Sequence, residues 1–307
     1  MTRNQYALGI DIGGTKTALG IVDKKGHIHA QSIFPTDSSQ GLDDIGRRIK
    51  ATLDALLAQL RLPLPDLVGA GLGCPGPMNR QTGEIRNPHT LPGWESGSLT
   101  DAISQQIGLP VKIENDADVA LLGETLAGAG QDSQHIVMLT FGTGIGGAVL
   151  SGNRIVRGVD DEHPEIGLIP VLPDQPKDYS GVPGSLESLA SGTGIARAGA
   201  RVGFKDCPEL FSAAKQGRPE ALKIVELAIR AVTLGCLTLA HTYCPERFIL
   251  GGGLMDEHFE LFANPIRQAL SEATLLPPNR IQVVQAELGN RAGMVGAASL
   301  ALKPEST

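Results

Sequence analysis

The chain has 307 residues, 41% hydrophobic and 19% charged, which fits a globular protein with room for two domains of ordinary size. A formal net charge of -7 without any basic run argues against a surface for nucleic acid or anionic membrane. It leaves open phosphate sites made from backbone N–H groups. No apolar stretch approaches the about 20 residues that span a bilayer, and the start MTRNQYALGID lacks a signal-peptide pattern. Cys74, Cys207, Cys236 and Cys244 are scattered without CxxC spacing, so the expectation is a cytoplasmic protein with reduced thiols.

Tyr6 to Ile12 is an apolar run that predicts a strand. GGTK turns the chain, Thr17 to Val22 returns, and DKKG turns it again into a third strand from Ile28 to Phe34. Apolar residues spaced by about 3.6 from Leu42 to Leu60 (Ile45, Ile49, Leu53, Leu56, Leu57, Leu60) predict an amphipathic helix. A strand from Leu67 to Leu72 runs into GCPGP. Leu99 to Ile107 reads as a helix, Val111 to Ile113 as a strand and Ala117 to Ala127 as a helix. The second half opens in the same way, with a strand from Ile136 to Phe141, the turn GTGIGG, a return from Ala148 to Leu150 and the turn SGN. One unit repeated half a chain apart implies two related lobes, with a glycine turn from each facing a shared cleft. Residues 157 to 184 read as a loop rich in Pro, Asp and Gly. Beyond them, Pro219 to Tyr243 is the longest helical stretch. A buried strand from Phe248 to Leu250 leads into Gly251, Gly252 and Gly253, and Ala292 to Leu302 is a last helix whose Gly293 and Gly296 permit tight packing.

Three glycine clusters carry the chemistry. Asp11, Gly13, Gly14, Thr15 and Lys16 form DIGGTK between two strands. Small residues there let backbone and hydroxyl donors reach a triphosphate, and a fixed carboxylate can hold Mg²⁺ through its water shell. The turn is neither a Walker A loop nor GxGxxG, because the GK[ST] ending and the strand-to-helix context are missing. FGTGIGG, with Thr143 and Gly144, and LGGGLMDE follow in order.

With GLGCPGPMN, LPGW (Leu91 to Trp94), ENDAD (Glu114 to Asp118) and NRAGMVGAA, these motifs resemble the ROK family of bacterial sugar kinases, within the actin-like ATPase superfamily. The resemblance covers nearly the whole chain. It implies an α/β, two-lobed actin-like (ribonuclease H-like) fold with the ATP and sugar cleft between lobes: residues 1–117 plus 292–307 as the small lobe and 118–291 as the large one. It implies ATP and Mg²⁺ as cofactors, with DIGGTK and FGTGIGG on the phosphates and Gly251, Gly252 and Gly253 on adenosine. Asn115 and Asp116 resemble the family's sugar-binding Asn and catalytic base; the ND pair is also well placed to cap a helix. Glu165 and Glu187 resemble two sugar-binding glutamates, and Asn87 lies in a region expected to line the sugar cleft. Glu114 and Asp118 read as flanking charges. A homodimer is implied by the resemblance alone.

The chain departs from the family at its zinc site. Where many relatives have a His and three Cys, it has Leu168, Asp178, Ser180 and Ser185. Leucine cannot bind zinc and serine lacks the thiolate of such sites, so no structural zinc is expected. Tyr179 and nearby prolines are expected to hold that loop instead. His163 either replaces part of the missing imidazole at the sugar or is an exposed loop residue. The first expectation for function is a hexose kinase acting at O6 of glucose or a relative, with an amino or N-acylamino hexose as the alternative acceptor. Polyphosphate as donor stays open. A sugar-responsive repressor is disfavoured because DIGGTK starts at residue 11 and leaves no room for a DNA-binding domain. A catalytically idle sugar-binding protein is disfavoured because Asp11, Asp116 and the glycine clusters are intact.

Overall fold

The computed structural model describes residues 6–95, 97–276 and 280–302. The chain divides into two α/β units: the first runs through Asp132, takes in Arg157–His163 and resumes at Glu287; the second is Ser133–Val156 and Pro164–Ala286.

The first unit opens with an antiparallel meander, β1 (Tyr6–Ile12), β2 (Lys16–Asp23) and β3 (Ile28–Pro35). β4 (Leu67–Cys74) then pairs parallel with β1, and β7 (Val111–Asn115) parallel with β4, giving the order β3-β2-β1-β4-β7. A small ribbon, β5 (Met78–Asn79) with β6 (Glu84–Ile85), follows β4. α1 (Gly41–Leu60) and α2 (Leu99–Ile107) cover one side. The apolar stripe predicted for α1 is the one it buries: Ile45, Ile49, Leu53, Leu56 and Leu57 join Leu8, Ile10, Leu19 and Ile21 in one core.

α3 (Asp116–Ala127) and α9 (Ala292–Leu302) belong to the same unit, and this moves the expected boundary from residue 117 to 132. The reason is close backbone contact. A Cβ on Gly296 would overlap the Val119 carbonyl of α3, and one on Gly71 of β4 would overlap the Ala297 carbonyl of α9. Helix α3 therefore cannot leave without breaking the unit. Residues 303–307, the end of the segment expected as the C-terminal helix, lie outside the described residues.

In the second unit, β8 (Ile136–Phe141), β9 (Ile145–Ser151) and β10 (Arg154–Ile155) form the meander. After α4 (Leu186–Ala190), α5 (Gly192–Ala200), α6 (Cys207–Lys215) and α7 (Pro219–Tyr243), β11 (Arg247–Gly251) pairs parallel with β8. α8 (Gly253–Glu272) leads to β12 (Gln282–Gln285), parallel with β11. The order β10-β9-β8-β11-β12 matches the first sheet strand for strand, so the repeat inferred from the glycine turns extends to topology. β12 carries no prediction; Pro265 lies inside α8, and His258 departs from helical geometry within it.

Candidate active site

Parallel strands expose ligand sites at their carboxyl ends, and the predicted residues of the first unit collect there. Asp11 stands level with Gly73 of β4, and Cys74 of β4 stands level with Asn115 of β7. Asn115 is the cap of α3: its Oδ1 accepts from the Ala117 N–H at 2.8 Å, while its Nδ2 donates to no other described residue. Asp116 is therefore not the cap but the first helical residue, although its Oδ1 also lies 2.8 Å from the Ala117 nitrogen.

Asp116 is exposed, yet its carboxyl is pushed above the ordinary carboxylate range. The main cause is desolvation; Asp118 adds to it, while the Ala117 N–H and His163 pull the other way. Protein atoms around the group crowd out bulk water while its own oxygens stay reachable, the condition for a general base working near neutral pH. Asp11 is pushed up to about 6, by burial first and then by the charge of Asp116, with Lys16 opposing. The charge of Asp116 thus raises the proton affinity of Asp11 at one sheet end.

The DIGGTK turn is closed by a 2.9 Å hydrogen bond from Gly13 N–H to the Lys16 carbonyl and leaves Gly14, Thr15 and Lys16 exposed. Asn87 is buried; its Nδ2 donates to the Gly76 carbonyl at 2.5 Å and its Oδ1 accepts from Thr90 N–H at 2.9 Å. Its amide fastens the loop around Gly76, where a Cβ would lie 3.4 Å from Asn115 Nδ2.

In the second unit, Gly142 N–H donates to the Gly144 carbonyl at 3.0 Å, closing the β8–β9 turn and leaving Thr143 exposed. Glu187 of α4 accepts from the Ile145 N–H at 2.8 Å, and a Cβ on Gly144 would fall 2.5 Å from its Oε2. Gly252 precedes α8 with φ of 90°, and its absent Cβ would sit 2.5 Å from the Phe141 carbonyl oxygen. Gly251 closes β11, and Gly253 opens α8, exposed at its first turn. No side chain caps α8, so its first N–H groups adjoin the β8–β9 turn as a ready anion site. Glu165 is exposed on the loop of the second unit.

At the four positions compared with a zinc site, the side chains do not suit the metal. Asp178 accepts from Ser180 N–H at 2.8 Å, Ser180 Oγ–H at 2.6 Å and Val182 N–H at 3.1 Å, and also from the Ser185 hydroxyl. Asp178 fastens this loop from within, and Tyr179 contributes, as expected, through a hydrogen bond with Glu187. Tyr179 is 78% exposed, and its phenol is raised to about 12, by desolvation, a hydrogen bond with Glu187, and the charges of Glu187, Glu165 and Asp178.

Sequence reasoning missed one cluster. Glu114 and Asp118, expected as flanking charges, are 3% and 0% exposed and bind Arg157, Arg80 and His163. His163 is accordingly half-buried against Asp118. The only signal was the i, i+4 spacing of two acids around ND, which does not name their partners.

The ROK family model matches residues 7–304. The chain belongs to the ROK family. A relative called glucokinase, from Thermotoga maritima, is 33% identical over 312 residues, covering 95% of this chain and 96% of its own. Among solved ROK structures, a hexokinase from Thermus thermophilus superposes with a TM-score of 0.84 at 29% identity, covering 96% of this chain and 97% of that one. A ROK glucokinase from Streptomyces griseus, solved with glucose and AMPPNP, gives 0.76 at 31% identity, with 97% and 100% covered. The fold is that of the actin-like ATPases, as the resemblance implied.

The residues present fit a magnesium nucleotide. Exposed turn donors face outward in each unit, and the raised Asp11 carboxyl is a group that a divalent cation would relieve. Among the described residues, no group of three or more His, Cys, Asp and Glu is placed to hold a metal ion by protein ligands alone. No helix among them is long and apolar enough to cross a membrane.

Proposed function

We propose that this ROK protein is an ATP-dependent hexose kinase that transfers the γ-phosphoryl group to O6 of glucose or a close relative, with Asp116 as general base. The observation that carries this reading is the Asn115–Asp116 junction: a reachable carboxylate of raised proton affinity beside an amide donor that no other described residue occupies. Asn115 Nδ2 donates to the acceptor sugar and holds its hydroxyl. As that oxygen attacks the γ-phosphorus, its proton passes to Asp116, and ADP leaves with the electron pair of the broken bond. Glu165 and Glu187 accept from other sugar hydroxyls. Asp11, the turn at Gly13 to Lys16, Thr143 and Gly144 hold the phosphates, and Gly251, Gly252 and Gly253 approach adenosine. Mg²⁺, held near Asp11 through water, would neutralise charge developing on the phosphates. Asn87 acts by shaping the loop beside Asn115.

An amino or N-acylamino hexose is the second reading, favoured by the loss of the family's metal ligands at Leu168, Asp178, Ser180 and Ser185, which puts an apolar side chain at one of the four positions. A cytoplasmic homodimer is part of the proposal.

The test is ADP release with Mg²⁺-ATP across glucose, mannose, glucosamine and their N-acetyl derivatives, beside Asp116→Asn. One hexose is expected to drive turnover, with kcat reduced about 10²-fold or more in the variant. Because the base must be ionised, kcat/KM should fall with decreasing pH at a value above the ordinary carboxylate range. Full activity in Asp116→Asn sinks the assignment, and turnover only with N-acetyl sugars selects the second reading.

A further inference from the structure

Arg157–His163 belongs to the first unit although the chain on both sides of it belongs to the second. This strap is tied down by charge. Arg157 Nη2 lies 2.5 Å from Glu114 Oε2, and its Nη1 bonds Asp118 Oδ2. His163 Nδ1 is 2.9 Å from the same Asp118 oxygen. Arg80 Nε reaches Glu114 Oε2 at 3.0 Å, and Arg80 also bonds Asp161 of the strap. Glu114 Oε1 accepts from the Asn115 backbone N–H at 2.8 Å, so the network ends on the residue that precedes Asp116.

Stability alone does not explain such a cluster. Taking charges out of water costs as much as their pairing returns, and apolar side chains of similar volume would hold the strap as well or better. Asp118 also keeps Oδ1 buried without a partner, a further cost. What the cluster does supply is a fixed field and a fixed backbone at the β7–α3 junction. The titratable groups around Asp116 are Asp11 on β1, Cys74 at the end of β4, Asp118 on its own helix and His163 on the strap.

We propose that Arg157, Asp118 and His163 are positioning residues for phosphoryl transfer: the clamp fixes the Asn115–Asp116 junction and sets the field in which the Asp116 carboxylate works. This rests on the reading of Asp116 as the base. None of the three touches the sugar in this role. Arg157 compensates Glu114 and Asp118 together, and without it two buried carboxylates must take up protons or turn toward water, dragging the junction with them. His163 and Asp118 act on Asp116 in opposite senses, His163 favouring its ionised form and Asp118 opposing it.

The experiment compares Arg157→Lys, Asp118→Asn, His163→Asn and Asp116→Asn with wild type, on the hexose that wild type turns over best. For the three clamp variants, kcat should fall about 10-fold or more, since small misplacement of reacting groups is costly. The hexose KM should rise as well, by less than kcat falls, because the junction also carries Asn115, which holds the sugar hydroxyl. The acid limb of kcat/KM should move to lower pH in Asp118→Asn, which removes a negative charge, and to higher pH in His163→Asn, which removes the favourable partner. A merely structural role would not move the two limbs in opposite directions. Unchanged kcat and limbs, beside an inactive Asp116→Asn, overturn the clamp alone. Full activity of Asp116→Asn overturns the base and the clamp with it. If Asp118→Asn fails to fold, the neutral pair Arg157→Gln with Asp118→Asn replaces it, and wild-type kcat in that folded pair overturns the proposal.

Discussion

Asp11 lies against the first turn of α9: a Cβ on Gly293 would fall 2.5 Å from Asp11 Oδ2. A helix N-terminus favours a carboxylate, yet Asp11 is raised to about 6 because desolvation, with the charge of Asp116, outweighs it. The folded protein therefore holds this proton more tightly than the unfolded chain does, whose ordinary value is 3.8. The stabilising contribution of protonated Asp11 is complete below that ordinary value and is lost as pH rises through about 6. At neutral pH the ionised group strains the ligand-free fold, as expected where function rather than stability selects the residue.

Asp11→Asn is thus expected to melt about 2–4 °C above wild type at pH 8 without ligand, on the scale of about 1 kcal/mol for a protein of this size. The advantage should shrink at pH 5, and Mg²⁺-ATP should stabilise wild type but not the variant. Thermal melts at the two pH values, with and without nucleotide, check this. An offset equal at both values would refute the electrostatic account.

Much of this was legible before the structure because glycine turns and helix periodicity are local signals. The three glycine clusters, the α1 stripe and the start of α9 at Ala292 are set by residues within one or two turns of each other. The domain boundary was not, since α3 is held by carbonyl contacts with a helix far along the chain. Nor was the clamp. Arg157 and Asp118 are 39 residues apart, and nothing in a loop arginine announces a buried carboxylate as its partner. The loop at Asp178 was legible only as an absence of zinc ligands; the hydrogen bonds that take their place needed coordinates.

Gly252 and Gly253 separate backbone necessity from sequence similarity. Gly252 has φ of 90°, and its Cβ would meet three Phe141 backbone atoms, whereas Gly253 has nothing within 4 Å. Gly252→Ala should destabilise the protein by about 2 kcal/mol or more, combining backbone strain with a clash that cannot be relieved by a side-chain rotation. Gly253→Ala should remain close to wild type in stability. Chemical denaturation of the two variants decides it: equal losses would mean that the turn relaxes and that the close approach of α8 to β8 is not required.

The last prediction concerns Asp178. Burial alone would raise its carboxyl, but hydrogen bonds from Ser180, Ser185 and Val182 outweigh this and hold it below the ordinary range. Its stabilising effect is therefore present above the ordinary carboxylate value and is lost as pH falls through the lower, folded-state value. Because the neighbouring Tyr179 phenol faces Glu187, loosening this loop should disturb sugar binding before it disturbs chemistry. Asp178→Ala is expected to raise the hexose KM about 3- to 10-fold with kcat and the ATP KM near wild type, the pattern of lost ground-state binding. Limited proteolysis should cut the variant faster within residues 173–184, and saturating hexose should slow that cleavage in wild type more than in the variant. A KM that stays at the wild-type value while the loop is cut readily would separate the hydrogen-bond cluster from sugar recognition and assign it to loop stability alone.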